Sequence, residues 1–109
     1  MYFINCSFSL TNVLCEFYGK KVGFIRCSLS YDILEEILCT AAPYNDFDVL
    51  DLTGNELGKD PDLFVEILHH TNVMGKSAKE LILMDNGFDE NIISLLKEKV
   101  GPAIEKVHI

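Results

Sequence analysis

Short runs of alternating apolar and polar residues recur along the chain, and each is followed by a segment whose apolar residues return every three or four positions. Alternation is typical of a strand that buries one face, and a period near 3.6 is typical of an amphipathic helix. The pattern therefore predicts strands that alternate with helices. The helical apolar sets are Ile33, Leu34, Ile37 and Leu38; Leu63, Ile67 and Leu68; and Ile92, Ile93, Leu95, Leu96 and Val100.

The strand segments share one frame, apolar-x-apolar-x-x-(Asn or Cys)-x-apolar. It is filled by Met1, Phe3, Cys6 and Phe8; by Val22, Phe24, Cys27 and Leu29; by Leu50, Leu52, Asn55 and Leu57; and by Leu81, Leu83, Asn86 and Phe88. A fifth, partial copy starts at Val107 and Ile109. The copies start at positions 1, 22, 50, 81 and 107, which gives intervals of 21, 28, 31 and 26 residues. Such lengths suit one strand plus one helix.

Chance does not explain the recurrence of this frame. Because 49% of the residues are hydrophobic, a random Asn or Cys fills the three apolar slots roughly one time in eight. The eleven Asn and Cys residues of the chain should then give about one match. Four matches are found, and they are spread along the whole sequence.

Residues that commonly begin a helix follow each frame. Ser9, Ser30, Asp60 and Asp89 lie one to three residues after it, and their side-chain oxygens can accept the unpaired N–H groups of a first helical turn. Pro61 suits the first helical position, where its missing N–H does no harm. We therefore expect a helix in each interval, short in the first one because that interval has only 21 residues.

At these residues the chain resembles the leucine-rich-repeat family, whose unit reads L-x-x-L-x-L-x-x-N/C-x-L. Phe47, Leu50, Leu52, Asn55 and Leu57 fill every slot of it. The long, helix-containing intervals look most like the ribonuclease-inhibitor subclass. The resemblance implies an α/β fold over residues 1–109, a right-handed β-α solenoid of about 4.5 repeats. About five short parallel strands would line its concave face, and helices would cover the convex face.

The slots also have a physical interpretation that does not depend on the family. Leu50 and Leu52 should point inward and Asp51 outward, because successive side chains of a strand point to opposite faces. The Asn55 amide can both donate to and accept from loop backbone groups that would otherwise lack partners. Cys6 and Cys27 are compact, buried alternatives in the same slot.

The outward strand positions are the expected functional surface. Ile4, Ile25, Thr53 and Met84 should align at one register as an apolar column, and exposed apolar area commonly marks a binding surface. The predicted partner-binding residues are Tyr2, Ile4, Ile25, Asp51, Thr53, Ile82, Met84 and His108. A shallow face covered by neighbouring side chains or by self-association is the alternative interpretation.

Charge and composition narrow the expected partners. The formal charge of −8 would repel a phosphate backbone, which argues against nucleic acid. No apolar run approaches the roughly 20 residues that span a bilayer, and the first residues lack signal-peptide features, so we expect no membrane association and a cytoplasmic protein. A secreted bacterial effector is a second option. The four cysteines contain no C-x-x-C pair, which favours free thiols over a zinc site.

The expected function is protein binding by a scaffold or adaptor, with no enzyme activity, metal or cofactor. His69 and His70 have no third ligand at metal spacing, and the loop at Gly54 lacks a phosphate-binding Gly-rich sequence. One alternative is a small regulatory or catalytic α/β domain with a site near Asp51 and Thr53, which would have a mixed or reordered sheet. Another is a structural self-assembly unit or homodimer formed through the edge strand 105–109.

Overall fold

The computed structural model describes residues 2–5, 21–41, 48–73, 79–100 and 104–109. In these ranges the fold is α/β, with five strands and three α-helices. The strands are β1 (Tyr2–Ile4), β2 (Lys21–Ile25), β3 (Val49–Asp51), β4 (Glu80–Ile82) and β5 (Lys106–His108). The helices are α1 (Tyr31–Ala41), α2 (Pro61–Val73) and α3 (Asn91–Lys99), and a 3-10 turn at Leu57–Lys59 precedes α2.

Several expectations lie outside the described residues. These are the short first helix with its Ser9 start, the Cys6 slot and the repeat-leading Phe47. Cys27 is described, and it is a buried free thiol as predicted.

All five strands are parallel, and they are ordered β1-β2-β3-β4-β5 as in the sequence. The predicted five-stranded parallel sheet is thereby confirmed. Backbone hydrogen bonds extend the same register past the strand ends, since Arg26 N donates to Thr53 O at 2.8 Å and Gly54 N donates to Met84 O at 2.9 Å. The loops that follow the strands are therefore held side by side, as the strands are.

One face of the sheet forms the core with the helices. Its inward residues are Val22, Phe24, Leu50, Leu52, Leu81 and Leu83, and they share one buried cluster with Leu34, Leu38, Phe64, Val65, Ile67, Leu68, Ile92 and Leu96 of the helices. Phe64 is fully buried, and its ring centroid lies 5.0 Å from that of Phe88. Removal of such a ring typically costs about 3–5 kcal/mol, so this layer contributes strongly to stability.

Three of the predicted helix starts are confirmed by hydrogen bonds. Ser30 Oγ accepts from the N–H of Ile33 at 3.3 Å, and Asp60 Oδ1 accepts from that of Leu63 at 3.1 Å. Asp89 Oδ1 accepts from the N–H of Asn91 at 2.9 Å. Pro61 is the first residue of α2, as expected.

The buried amide of Asn55 joins two neighbouring loops. Its Oδ1 accepts from the N–H groups of Cys27 at 3.0 Å and Leu29 at 3.2 Å. Its Nδ2 donates to the carbonyls of Phe24 at 2.6 Å and Leu52 at 2.8 Å. The prediction that this side chain donates to and accepts from loop backbone is confirmed.

Asn86 and Cys27 make the corresponding contacts in the adjacent loops. Asn86 Nδ2 donates to Leu52 O at 2.8 Å, and the Cys27 thiol donates to Phe3 O at 3.3 Å. Each side chain thus bonds the carbonyl of the preceding strand at the same register position. Within the described ranges, no buried side-chain nitrogen or oxygen lacks a hydrogen-bond partner, which matches the high cost of such groups.

Candidate functional site

The sheet face opposite the helices, called the open face below, holds all the predicted binding residues. Tyr2, Gly23, Asp51, Ile82 and His108 stand side by side on the five strands in one row. The next row along the strands contains Ile4, Ile25, Thr53 and Met84, in the predicted alignment. The structure therefore brings these residues onto one surface, and their contact with a partner stays a prediction.

Apolar side chains on the open face are well exposed. The exposed fractions are 50% for Tyr2, 58% for Ile4 and 48% for Met84. Ile25 and Ile82 are half-buried. The hydrophobic effect disfavours contact of such side chains with water. Covering this face with a partner would therefore lower the free energy.

The Tyr2 ring lies across β2 at Gly23. A Cβ atom built on Gly23 would stand 2.5 Å from Tyr2 Cε1, closer still to Tyr2 Cδ1, and 3.3 Å from Asp51 Cβ. A side chain at position 23 would displace the ring from this place, and glycine inside a strand is a known sign of such close approach. Tyr2 therefore extends the apolar surface of β1 toward Asp51.

Asp51 and Thr53 form a local hydrogen-bonded pair in the middle of the open face. Asp51 Oδ1 accepts from the Thr53 backbone N–H at 3.0 Å and from Thr53 Oγ1 at 2.5 Å. The second carboxylate oxygen, Oδ2, receives no hydrogen bond from any residue in the described ranges. The pair orients the carboxylate and leaves one oxygen available.

His108 is paired with Glu80 at the β5 side of the open face. Their Nε2 and Oε1 atoms lie 2.6 Å apart. Glu80 was not among the predicted site residues, although its outward strand position already placed it on this face. The contact needs two adjacent strands, so no local pattern indicates it.

Left-handed backbone occurs at equivalent positions after the strands. The φ angles are 54° at Asn5, 51° at Arg26, 75° at Gly54 and 57° at Asp85. Two residues further on, φ is 53° at Ser28, 57° at Glu56 and 83° at Gly87. This conformation is uncommon outside glycine, and it was not predicted at the non-glycine residues.

The side chain of Arg26 crosses Gly54 to reach Asp85. A Cβ atom on Gly54 would lie 2.6 Å from Arg26 Cγ. Arg26 Nη2 and Asp85 Oδ2 are 3.1 Å apart, and both side chains are exposed. This ion pair joins the loops that follow β2 and β4 across the loop that follows β3.

Other parts of the described ranges offer less support for a functional site. His70 Nδ1 lies 3.7 Å from Glu35 Oε1 in a groove between α1 and α2 that His69 also lines. Among the described residues, no group of three or more His, Cys, Asp or Glu side chains could hold a metal ion. A different cleft, of about 180 Å³, lies beside β5 and is lined by Ile93, Leu96, Lys97, Ile104, Glu105 and Val107.

Comparisons with known proteins give no assignment. A scan against protein-family models finds no matching family, and searches of curated proteins and of solved structures find no match. None of the helices in the described part of the chain is long and apolar enough to cross a membrane. Function must therefore be argued from the residues of this chain.

Proposed function

We propose that the chain is a leucine-rich-repeat module that binds a protein partner through the open face of its sheet. Its architecture would be a β-α solenoid with the open face on the concave side. Support for the repeat comes from Cys27, Asn55 and Asn86, which occupy one slot of the sequence frame and make corresponding hydrogen bonds. The parallel sheet in chain order supports it too.

The row of Ile4, Ile25, Thr53 and Met84 is the observation on which the binding role rests, because three of its four residues are apolar and two of these, Ile4 and Met84, are exposed. Ile4 pairs with Ile25 in register, and the backbone bonds of Thr53 and Met84 continue that row across two more strands. With Tyr2, the row offers large apolar side chains on the sheet face opposite the described helices. Such a surface is typical of protein-binding sites, and the proposal includes no catalytic step.

Paired substitutions on and off the open face test the proposal. The double variant Ile25→Asp, Met84→Asp places charge on the column, and a crosslinking pull-down from the native source should lose the proteins that the wild type captures. Leu63→Asp is the matched control, because Leu63 is 37% exposed but lies on α2. Circular dichroism should be unchanged for both variants. Capture that survives the double substitution contradicts the proposal.

Self-assembly through β5 is a second candidate function. The cleft beside β5 has apolar walls from Ile93, Ile104 and Val107, and Ile109 is 42% exposed. Strand edges and apolar clefts of this kind favour pairing with another chain. Sedimentation should then show a dimer that Ile109→Asp converts to a monomer, and a wild-type monomer at high concentration contradicts this candidate.

The alternative of a regulatory or catalytic site near Asp51 and Thr53 has less support. It predicts a mixed or reordered sheet, whereas the strands are parallel and in chain order. Asp51 Oδ1 also accepts hydrogen bonds from the backbone N–H and the hydroxyl of Thr53, so both groups are already engaged within the fold. The binding role is the better-supported proposal.

A further inference from the structure

The apolar residues of the open face fall into two patches. Tyr2, Ile4 and Ile25 form one on β1 and β2, and Ile82 and Met84 form the other at β4. Between them lies the polar centre made by Asp51 of β3 and by Thr53, which follows two residues later. A partner that covers both patches must therefore place a polar or charged group over β3.

The polar centre favours a positively charged side chain on the partner. Asp51 is half-buried, and its Oδ2 receives no hydrogen bond from the described residues. Covering the face would remove water from this oxygen, and a buried carboxylate without a partner is costly. A basic side chain avoids that cost, and the formal charge of −8 also attracts a basic partner.

The spacing of the strands indicates which secondary structure a partner segment on the open face would have. Neighbouring strands lie about 4.8 Å apart, so Ile25, Thr53 and Met84 are separated by steps of about that length. One helical turn advances about 5.4 Å, whereas alternate residues of an extended strand advance about 6.7 Å. A helix that crosses the strands can place one side chain per turn over each of these residues.

Backbone hydrogen bonding also favours a helix as the partner segment on the open face. β2, β3 and β4 are paired with a neighbour on both sides, so their backbone groups are already used in the sheet. A segment on this face must satisfy its own backbone groups, which a helix does internally. Within the described sheet, strand addition is possible at the outer strands β1 and β5.

We propose that the open face binds an amphipathic helix with one Lys or Arg flanked, a turn away on either side, by aliphatic residues. The aliphatic side chains cover Ile25 and Met84, and the basic side chain extends from above Thr53 to Asp51 Oδ2. This inference rests on the proposed binding role and names the chemistry of the partner.

A phage-displayed helical scaffold with three randomised positions, one per turn of one face, tests the inference. Selection on the wild type should enrich aliphatic-basic-aliphatic sequences. The matched variant is Asp51→Asn, because the Asn oxygen can still accept both hydrogen bonds from Thr53 while the charge is removed. We expect the enriched clones to bind it about tenfold more weakly, and selection on it should lose the basic preference.

The outcomes separate the inference from the binding role. Aliphatic clones without a basic residue, or clones that bind Asp51→Asn as tightly as the wild type, overturn the inference and leave the open face as the binding surface. Clones that bind the Ile25→Asp, Met84→Asp variant as well as the wild type overturn both. If no clone is enriched, the helix inference is wrong, and the pull-down decides the binding role separately.

Discussion

The side-chain oxygen of Asn86 accepts a hydrogen bond from the backbone N–H of Asn55 at 2.8 Å, although 31 residues separate them in the sequence. The same oxygen accepts from Leu57 N at 3.2 Å. Asn55 in turn accepts from the loop of the strand before it. Each buried amide therefore holds the preceding loop, and the open face ends at a row of loops whose positions depend on one another.

Asn55→Ala should lower the free energy of unfolding by about 3 kcal/mol. Asn55 is only 4% exposed, and its removal leaves backbone donors and acceptors of two loops unpaired at about 1–3 kcal/mol each. Urea denaturation measures the change. Asn91→Ala is the control, because Asn91 is exposed at the start of α3 and should change stability by less than about 0.5 kcal/mol. Equal effects for both variants would contradict the role given to Asn55.

Gly54→Ala should destabilise the protein more than Gly87→Ala does. Both glycines have positive φ, 75° and 83°, so alanine strains the backbone at each by about 1–2 kcal/mol. At Gly54 the new Cβ would also meet Arg26 Cγ at 2.6 Å, whereas nothing lies within 4 Å at Gly87. Thermal denaturation of the two variants should show the larger loss for Gly54→Ala.

Combining Gly54→Ala with Arg26→Ala separates the backbone strain at residue 54 from the steric clash with the Arg26 side chain. Once the Arg26 side chain is absent, Gly54→Ala should cost about as much as Gly87→Ala, because only the backbone strain remains. Loss of the exposed ion pair with Asp85 by itself should cost at most about 1 kcal/mol. A Gly54→Ala penalty that stays unchanged in this background means that the crossing of Arg26 over Gly54 is energetically unimportant.

Tyr31→Phe should lower the free energy of unfolding by about 1–2 kcal/mol. The Tyr31 hydroxyl donates to Leu57 O at 2.8 Å and accepts from Asp60 N at 2.7 Å, so it joins α1 to the turn that precedes α2. Its loss leaves two backbone groups without this partner. Tyr2→Phe is the control, since Tyr2 lies half-exposed on the open face. Chemical denaturation that shows equal stabilities for both variants contradicts this prediction.

The amino-acid sequence alone is sufficient to predict the alternation of strands and helices, the residues that face the core, and the slot shared by Cys27, Asn55 and Asn86. These features depend on local periodicity and on the hydrogen-bonding capacity of single side chains, which the order of residues records directly. It also placed the eight predicted binding residues on one face, because the side of a strand on which a residue lies follows from its position along that strand.

Contacts between residues that are distant in the sequence complete these surfaces, and no local pattern predicts them. Tyr2 covers Gly23, and Arg26 reaches Asp85, which is 59 residues away in the sequence. The left-handed backbone at Asn5, Arg26 and Asp85 likewise has no local glycine signal. Such contacts form between loops that become neighbours when parallel strands pair, so their existence depends on the register of the sheet and not on any short segment of the chain.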